Sequence, residues 1–211
     1  MTPTTLVKMV PLARSADVGD VDADARTVAL VFSTAKGGDV LRYDWDTGQR
    51  YYERLSLDPE HVRLDRLNNG APLLNAHSAY TLANVIGVVE DGSATLTKSE
   101  ARAVVRFSKR ADVEPFYRDV VDKIIRNVSV GYRVHVMEEL AKPAKDGFPV
   151  RLATDWEPYE ISMVPMGADS GARVRKSDEI PVNLCVIRRT LTTGAVDADR
   201  VRRLRLAIAR M

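Results

Sequence analysis

Short β-branched, apolar runs recur along the chain, and one segment alternates apolar and polar positions with a period of two; both are signatures of strands. Arg26–Ser33 (RTVALVFS), Asn84–Glu90 (NVIGVVE) and Ala101–Ser108 (ARAVVRFS) are β-branched, apolar runs and predict strands. Thr5–Ala13, with Leu6, Val10 and Leu12, predicts a first strand, and the Tyr-rich Gln49–Ser56 another. Asp58 before Pro59 predicts a short helix, N-capped by Asp58 and ending near Asn68-Asn69-Gly70. Asp91-Gly92 is a hairpin signal. The period then changes. Phe116, Val120, Val121, Ile124 and Ile125 fall at helical spacing and predict a helix over Glu114–Ile125. Val128, Val130, Tyr132, Val134 and Val136 alternate strictly and predict a strand, and Pro149–Pro165 gives one more strand region. Residues 166–190 are weakly patterned, and Asp197–Arg210 can form a basic amphipathic helix with Val201, Leu204 and Ile208 on one stripe. Many strands and few helices predict an α+β, mainly β fold, with an antiparallel β-barrel or sandwich core and helices packed outside.

Composition narrows the function. With 211 residues, the chain suits one domain and a short appendage. Apolar residues make up 45% and charged residues 28%, a globular balance that argues against global disorder. No stretch is long and apolar enough to predict a transmembrane helix, and the first residues do not read as a secretion signal. A single cysteine, Cys185, excludes an internal disulfide, and three scattered histidines, His61, His77 and His135, do not predict a zinc site. Neither GxGxxG nor GxxxxGK[ST] occurs, so no phosphate loop is expected. Net charge is +2, unevenly spread: residues 172–211 hold ten Lys/Arg against four Asp/Glu, and the body before them is net −4. Such a basic tail is either a solvated surface or a dock for an acidic partner.

Three positions could carry chemistry. Alternation in NVSVGYRVHVM puts Ser129, Gly131, Arg133 and His135 on the face opposite the valines, and Gly131 leaves room for a group to approach Ser129. His77, after the apolar stretch PLLNA, could supply the imidazole a serine nucleophile needs. His135 shares Ser129's face but stands six residues along it, about 20 Å away, and is a poor base. Glu160, set in the apolar WEPYEISMVP, needs a partner because an unpaired buried carboxylate is costly. That partner is either the ring N–H of His77 or one of the many arginines. Taken singly, Ser129 reads first as an ordinary outward serine and His77 as a structural histidine.

Taken in order, LLNAHS, then NVSVGY, then YEISMVP with Ala172-Arg173-Val174 after it resembles the prohead maturation proteases of tailed bacteriophages, distant kin of the herpesvirus assemblin proteases. The resemblance spans about residues 5–175, although Met166-Gly167 stands after Pro165 where the family often has Pro-Ala. It implies an assemblin-like β-barrel over residues 1–175, with residues 176–211 a basic C-terminal tail holding a short helix. It further implies a serine endopeptidase with Ser129 as nucleophile, His77 as general base and Glu160 as the orienting third member. No cofactor or metal is implied. Substrates would be the major capsid protein, the scaffold and the enzyme itself, inside an assembling procapsid in the host cytoplasm. Self-association is open, and neither a specific nucleic acid nor a membrane is an expected partner. The rival reading is a non-catalytic capsid assembly or scaffold protein with the same barrel.

Overall fold

The computed structural model describes residues 4–9, 12–35, 39–165 and 183–189. In chain order the elements are β1 (Thr4–Met9), β2 (Leu12–Asp22), β3 (Thr27–Thr34), β4 (Val40–Asp44), β5 (Gln49–Leu55), β6 (Pro72–Asn75), β7 (Val85–Val89), β8 (Thr95–Leu96), β9 (Glu100–Phe107), α1 (Glu114–Val121), β10 (Asn127–Glu139), β11 (Val150–Met163) and β12 (Asn183–Arg189). Single 3-10 turns at Pro59–His61 and Leu82–Asn84 complete the set. The fold is mainly β, as the alternation predicts.

The strands join in one sheet ordered β1-β12-β10-β2-β3-β9-β7-β6-β11-β5-β4, with β8 on β9 and a further pairing of β10 with β11. The sheet is mixed, and this corrects the all-antiparallel, assemblin-like barrel of the sequence reading. β11 runs parallel to β5 at Val150–Ala153 and parallel to β6 at Ile161–Met163, and β10 runs parallel to β12. The reason is the length of β11. Its 14 residues are enough to lie beside β5 at one end and β6 at the other. The chain between β5 and β6 crosses over to reach the second position, bridging through Val62 to Trp156 on the way.

Period-two burial is clearest in β9, where Ala101, Ala103, Val105 and Phe107 are buried and Arg102 and Arg106 are exposed. These side chains meet Val28, Leu30 and Phe32 of β3 and Val128, Val130 and Tyr132 of β10 in one core. Trp156 of β11 lies fully buried edge-on to Tyr132, with its indole N–H donated to the Ser56 carbonyl at 2.8 Å. α1 caps this core with Tyr117 and Val120. Tyr117 packs on Phe107 and beneath the Arg26 guanidinium, which also holds Glu114 at 2.8 Å.

Several elements differ from expectation. β1 and β2 are two strands where one was predicted, and β4 was not foreseen. The helix stops at Val121 rather than Ile125, because Lys123 takes a positive φ of 59° and the Asp119 carbonyl collects the N–H groups of Ile124 and Ile125. The helix expected from Asp58 to Asn68 is only the 3-10 turn. Asp58 caps it through the Glu60 N–H as expected, but the Val62 bridge to Trp156 then draws the backbone into extended form. The helix expected at Asp197–Arg210 lies outside the described residues. Within 176–211, residues 183–189 form β12, which fills the place between β1 and β10.

β12 buries Cys185 and Ile187 at 0% and 1% exposure, and burial pushes the Cys185 thiol up to about 12. Sheet order therefore runs past residue 175. Ile187→Ala should lower unfolding free energy by about 2–5 kcal/mol, as buried Ile truncations do, in a denaturant titration. A loss under about 0.5 kcal/mol would show that β12 adds nothing to the core.

A candidate Ser–His–Glu site

The site forms where β10 and β11 pair. Their antiparallel register sets Ser129 opposite Ser162 and Gly131 opposite Glu160. Opposed residues of an antiparallel pair project from the same face, with Cβ atoms about 5 Å apart. Ser129, Gly131, Glu160 and Ser162 thus share one patch, on the reverse of the face where Val128, Val130 and Ile161 enter the core. The ordinary reading of Ser129 is a solvent-facing serine, whereas Glu160 is expected to be buried with a partner. In the structure Ser129, Glu160 and Ser162 are all buried, at 1%, 3% and 0% exposure.

Glycine at 131 is what admits the carboxylate. A Cβ there would overlap Glu160 Oε1 and stand only 2.8 Å from Cδ and 2.9 Å from Cγ. The Glu160 side chain lies across the space left bare. Its Oε1 meets His77 Nδ1 at 2.6 Å, and its Oε2 accepts the Ser162 hydroxyl at 2.6 Å. The Ser162 oxygen in turn accepts the His77 backbone N–H at 3.0 Å. Because an ionised carboxylate only accepts, the proton between Glu160 and His77 belongs to Nδ1, which leaves Nε2 as the basic nitrogen. Among the described residues Glu160 has no arginine partner, so of the two partners the sequence allowed, the histidine is the one found.

His77 reaches this position on a strained turn. Ser78 N–H closes on the Asn75 carbonyl at 3.0 Å, and Ala76 and His77 between them have φ of 50° and 60°. Positive φ at both central residues is the type I′ pattern, usual for Asn and Gly and costly for residues with larger side chains. Ala76 N–H is held by the Met163 carbonyl at 2.9 Å, continuing the parallel pairing of β6 with β11. Non-glycine residues in this conformation persist where surrounding structure over-determines them, as at functional sites.

Ser129 lies on the same patch, opposite Ser162 across the strand pair, and is not bonded to the group. Its hydroxyl is buried and has no hydrogen-bond partner among the described residues, so no bond joins it to His77. Beside the site Tyr159 lies under the guanidinium groups of Arg133 and Arg66, at 5.3 and 5.9 Å. Burial, reinforced by the nearby Glu160 charge, pushes the Tyr159 hydroxyl up to about 12. The other histidines are elsewhere: His61 Nδ1 is 2.7 Å from the Ser56 hydroxyl, and His135 faces Glu157 at 3.8 Å. Ser162 was not singled out by sequence reasoning, although its place two residues after Glu160 on one strand puts it on the same face. Among the described residues no cluster of His, Cys, Asp and Glu could hold a metal ion, and no helix is long and apolar enough to cross a membrane.

This mainly β protein, with a buried serine beside a hydrogen-bonded glutamate–histidine pair, is similar to a phage head protein. Over 143 residues, 66% of the chain, it is 35% identical to a major capsid protein of Halomonas phage phiHAP-1. The match takes in 23% of that protein, so the chain spans less than a quarter of its relative's length. No protein-family profile matches the chain. No solved structure matches it either.

Two substitutions test the geometry. Gly131→Ala should displace the Glu160 carboxylate, costing about 2–4 kcal/mol of stability and perturbing the His77 ring resonances in NMR spectra. Ala76→Gly should raise stability by about 1 kcal/mol in denaturant unfolding, because glycine takes positive φ without the Cβ penalty. A destabilised Ala76→Gly protein would show that the turn carries no strain.

Proposed function

We propose that the chain is a serine endopeptidase of phage head assembly. The observation that carries this reading is the 2.6 Å contact between His77 Nδ1 and Glu160 Oε1, on the same patch of sheet as Ser129. Glu160 fixes the tautomer that makes His77 Nε2 a base and stabilises the imidazolium that forms. Ser129 Oγ attacks a peptide carbonyl while His77 takes its proton. His77 returns that proton to the leaving amine, and water then hydrolyses the acyl-enzyme by the same route. Ser129 is 1% exposed, so under this reading a substrate needs its side of the sheet to open.

The substrates under this reading are the major capsid protein and scaffold, with self-cleavage, inside the assembling procapsid in the host cytoplasm. A relative named major capsid protein, with more than three quarters of its length outside the match, fits a protease working close to capsid subunits. The same name favours a second reading, a non-catalytic capsid assembly protein, and does so more directly than it favours proteolysis. The burial of Ser129 also leans that way.

A fluorophosphonate probe separates the two. Labelling of the full chain, lost in Ser129→Ala, together with a fall of about 10⁴-fold or more in cleavage of capsid protein or scaffold, is the expected result. An unlabelled wild-type protein that assembles with capsid protein without cutting it establishes the second reading.

A further inference from the structure

The Ser162 hydroxyl bonds to both halves of the glutamate–histidine pair. It donates its proton to Glu160 Oε2 at 2.6 Å and takes the His77 backbone N–H at 3.0 Å, from a position with no solvent exposure. We propose that Ser162 is a positioning residue that sets the Glu160–His77 pair and keeps the Ser129 hydroxyl free. This deepens the serine endopeptidase reading and rests on it.

Three features support the assignment. First, the bare Cα of Gly131 leaves the Glu160 carboxylate room on one side, so its rotation is fixed by its two acceptor contacts, one at each oxygen. With Oε2 occupied by Ser162, Oε1 is presented to His77 Nδ1. Second, the His77 backbone sits in the strained turn and its N–H needs an acceptor. In place of a ladder carbonyl it receives a side-chain oxygen from the strand that also carries Glu160. One hydroxyl thus fixes the main chain of the base and the carboxylate that orients its ring. Third, Ser162 is the direct cross-strand neighbour of Ser129. Its single proton is committed to Glu160, so it donates nothing to Ser129, whose hydroxyl has no partner among the described residues. An unsatisfied buried hydroxyl is costly in a purely structural role. As a nucleophile it would act once His77 Nε2 comes within hydrogen-bond reach of it.

The test uses the full chain and three substitutions. Ser162→Ala removes the hydroxyl. Ser162→Cys keeps much of the volume with a weak donor, and stands in if the alanine variant does not fold. Ser162→Thr keeps the hydroxyl. Steady-state cleavage of a capsid-derived peptide gives kcat and KM separately, and the downfield NMR resonance of the His77 Nδ1 proton reports the pair directly. The expected result for the Ala and Cys variants is a kcat lower by about 10- to 100-fold with KM within about twofold, the pattern of a misplaced catalytic group. Their His77 resonance shifts or disappears, while Ser162→Thr keeps both readouts near wild type. An unchanged kcat and resonance in the Ala and Cys variants, with Ser129→Ala inactive, overturns the role of Ser162 and leaves the protease reading standing. A wild-type protein that neither cleaves nor takes the fluorophosphonate overturns the protease reading. In that case a resonance lost in Ser162→Ala still supports Ser162 as the residue that sets His77, and a retained one overturns it.

Discussion

The arrangement depends on a carboxylate buried in the face of a β-sheet. Glu160 lies on β11 with almost no exposure, where an isolated ionised group would be prohibitively costly. Three residues make it tolerable. Gly131 on the neighbouring strand vacates the space, Ser162 supplies a hydroxyl, and His77 supplies a ring N–H. Each solves part of one electrostatic problem, and together they fix the orientation of an imidazole. The positive φ at Ala76 and His77 is the local cost of bringing that ring to the sheet.

The same two strands bury charge a second time, toward the other end. Arg151 of β11 is nearly inaccessible and reaches Asp44 at 2.9 Å, with its guanidinium 4.3 Å over the Tyr51 ring. Burial alone would raise the Asp44 carboxyl, but hydrogen bonds from Arg151 and Thr47 hold it below its ordinary range. Glu53, fully buried on β5, accepts the Tyr132 hydroxyl of β10, and Arg42 of β4 donates to that hydroxyl at 3.0 Å. Breaking one partner of such a pair leaves a charge stranded, so these contacts fix which strands lie together more than they add stability. At this end every charge has an opposite charge or a hydroxyl beside it. At the Glu160 end the Ser129 hydroxyl has no hydrogen-bond partner among the described residues.

Much of this was present in the order of the residues. The β-branched, apolar runs of β3 and β9 and the strict alternation of β10 placed those strands correctly. His77, Ser129 and Glu160 stood out because a histidine after an apolar run, a serine beside a glycine and an acid inside an apolar strand each break a local pattern. The partner of Glu160 was not legible, since many arginines competed for it and 83 residues separate it from His77. Nor was β12, whose segment shows little alternation. β10 on one side and β1 on the other hold it in the sheet, and neither is a sequence neighbour.

What the sequence determined by itself was the one-dimensional content: a mainly β chain, a helix beginning at Glu114, and a short set of candidate residues. What only the tertiary structure decided was which face of β10 is covered and which strands run parallel. Period two marks two faces but does not say that both are buried, and Ser129 shows the consequence. Strand direction depends on crossovers such as the one between β5 and β6, which follow from the length of β11 and the packing around Trp156. The role of Ser162 belongs to the same class. A serine two residues from a glutamate is unremarkable until pairing with β10 and the turn at His77 bring both of its bonds to one point.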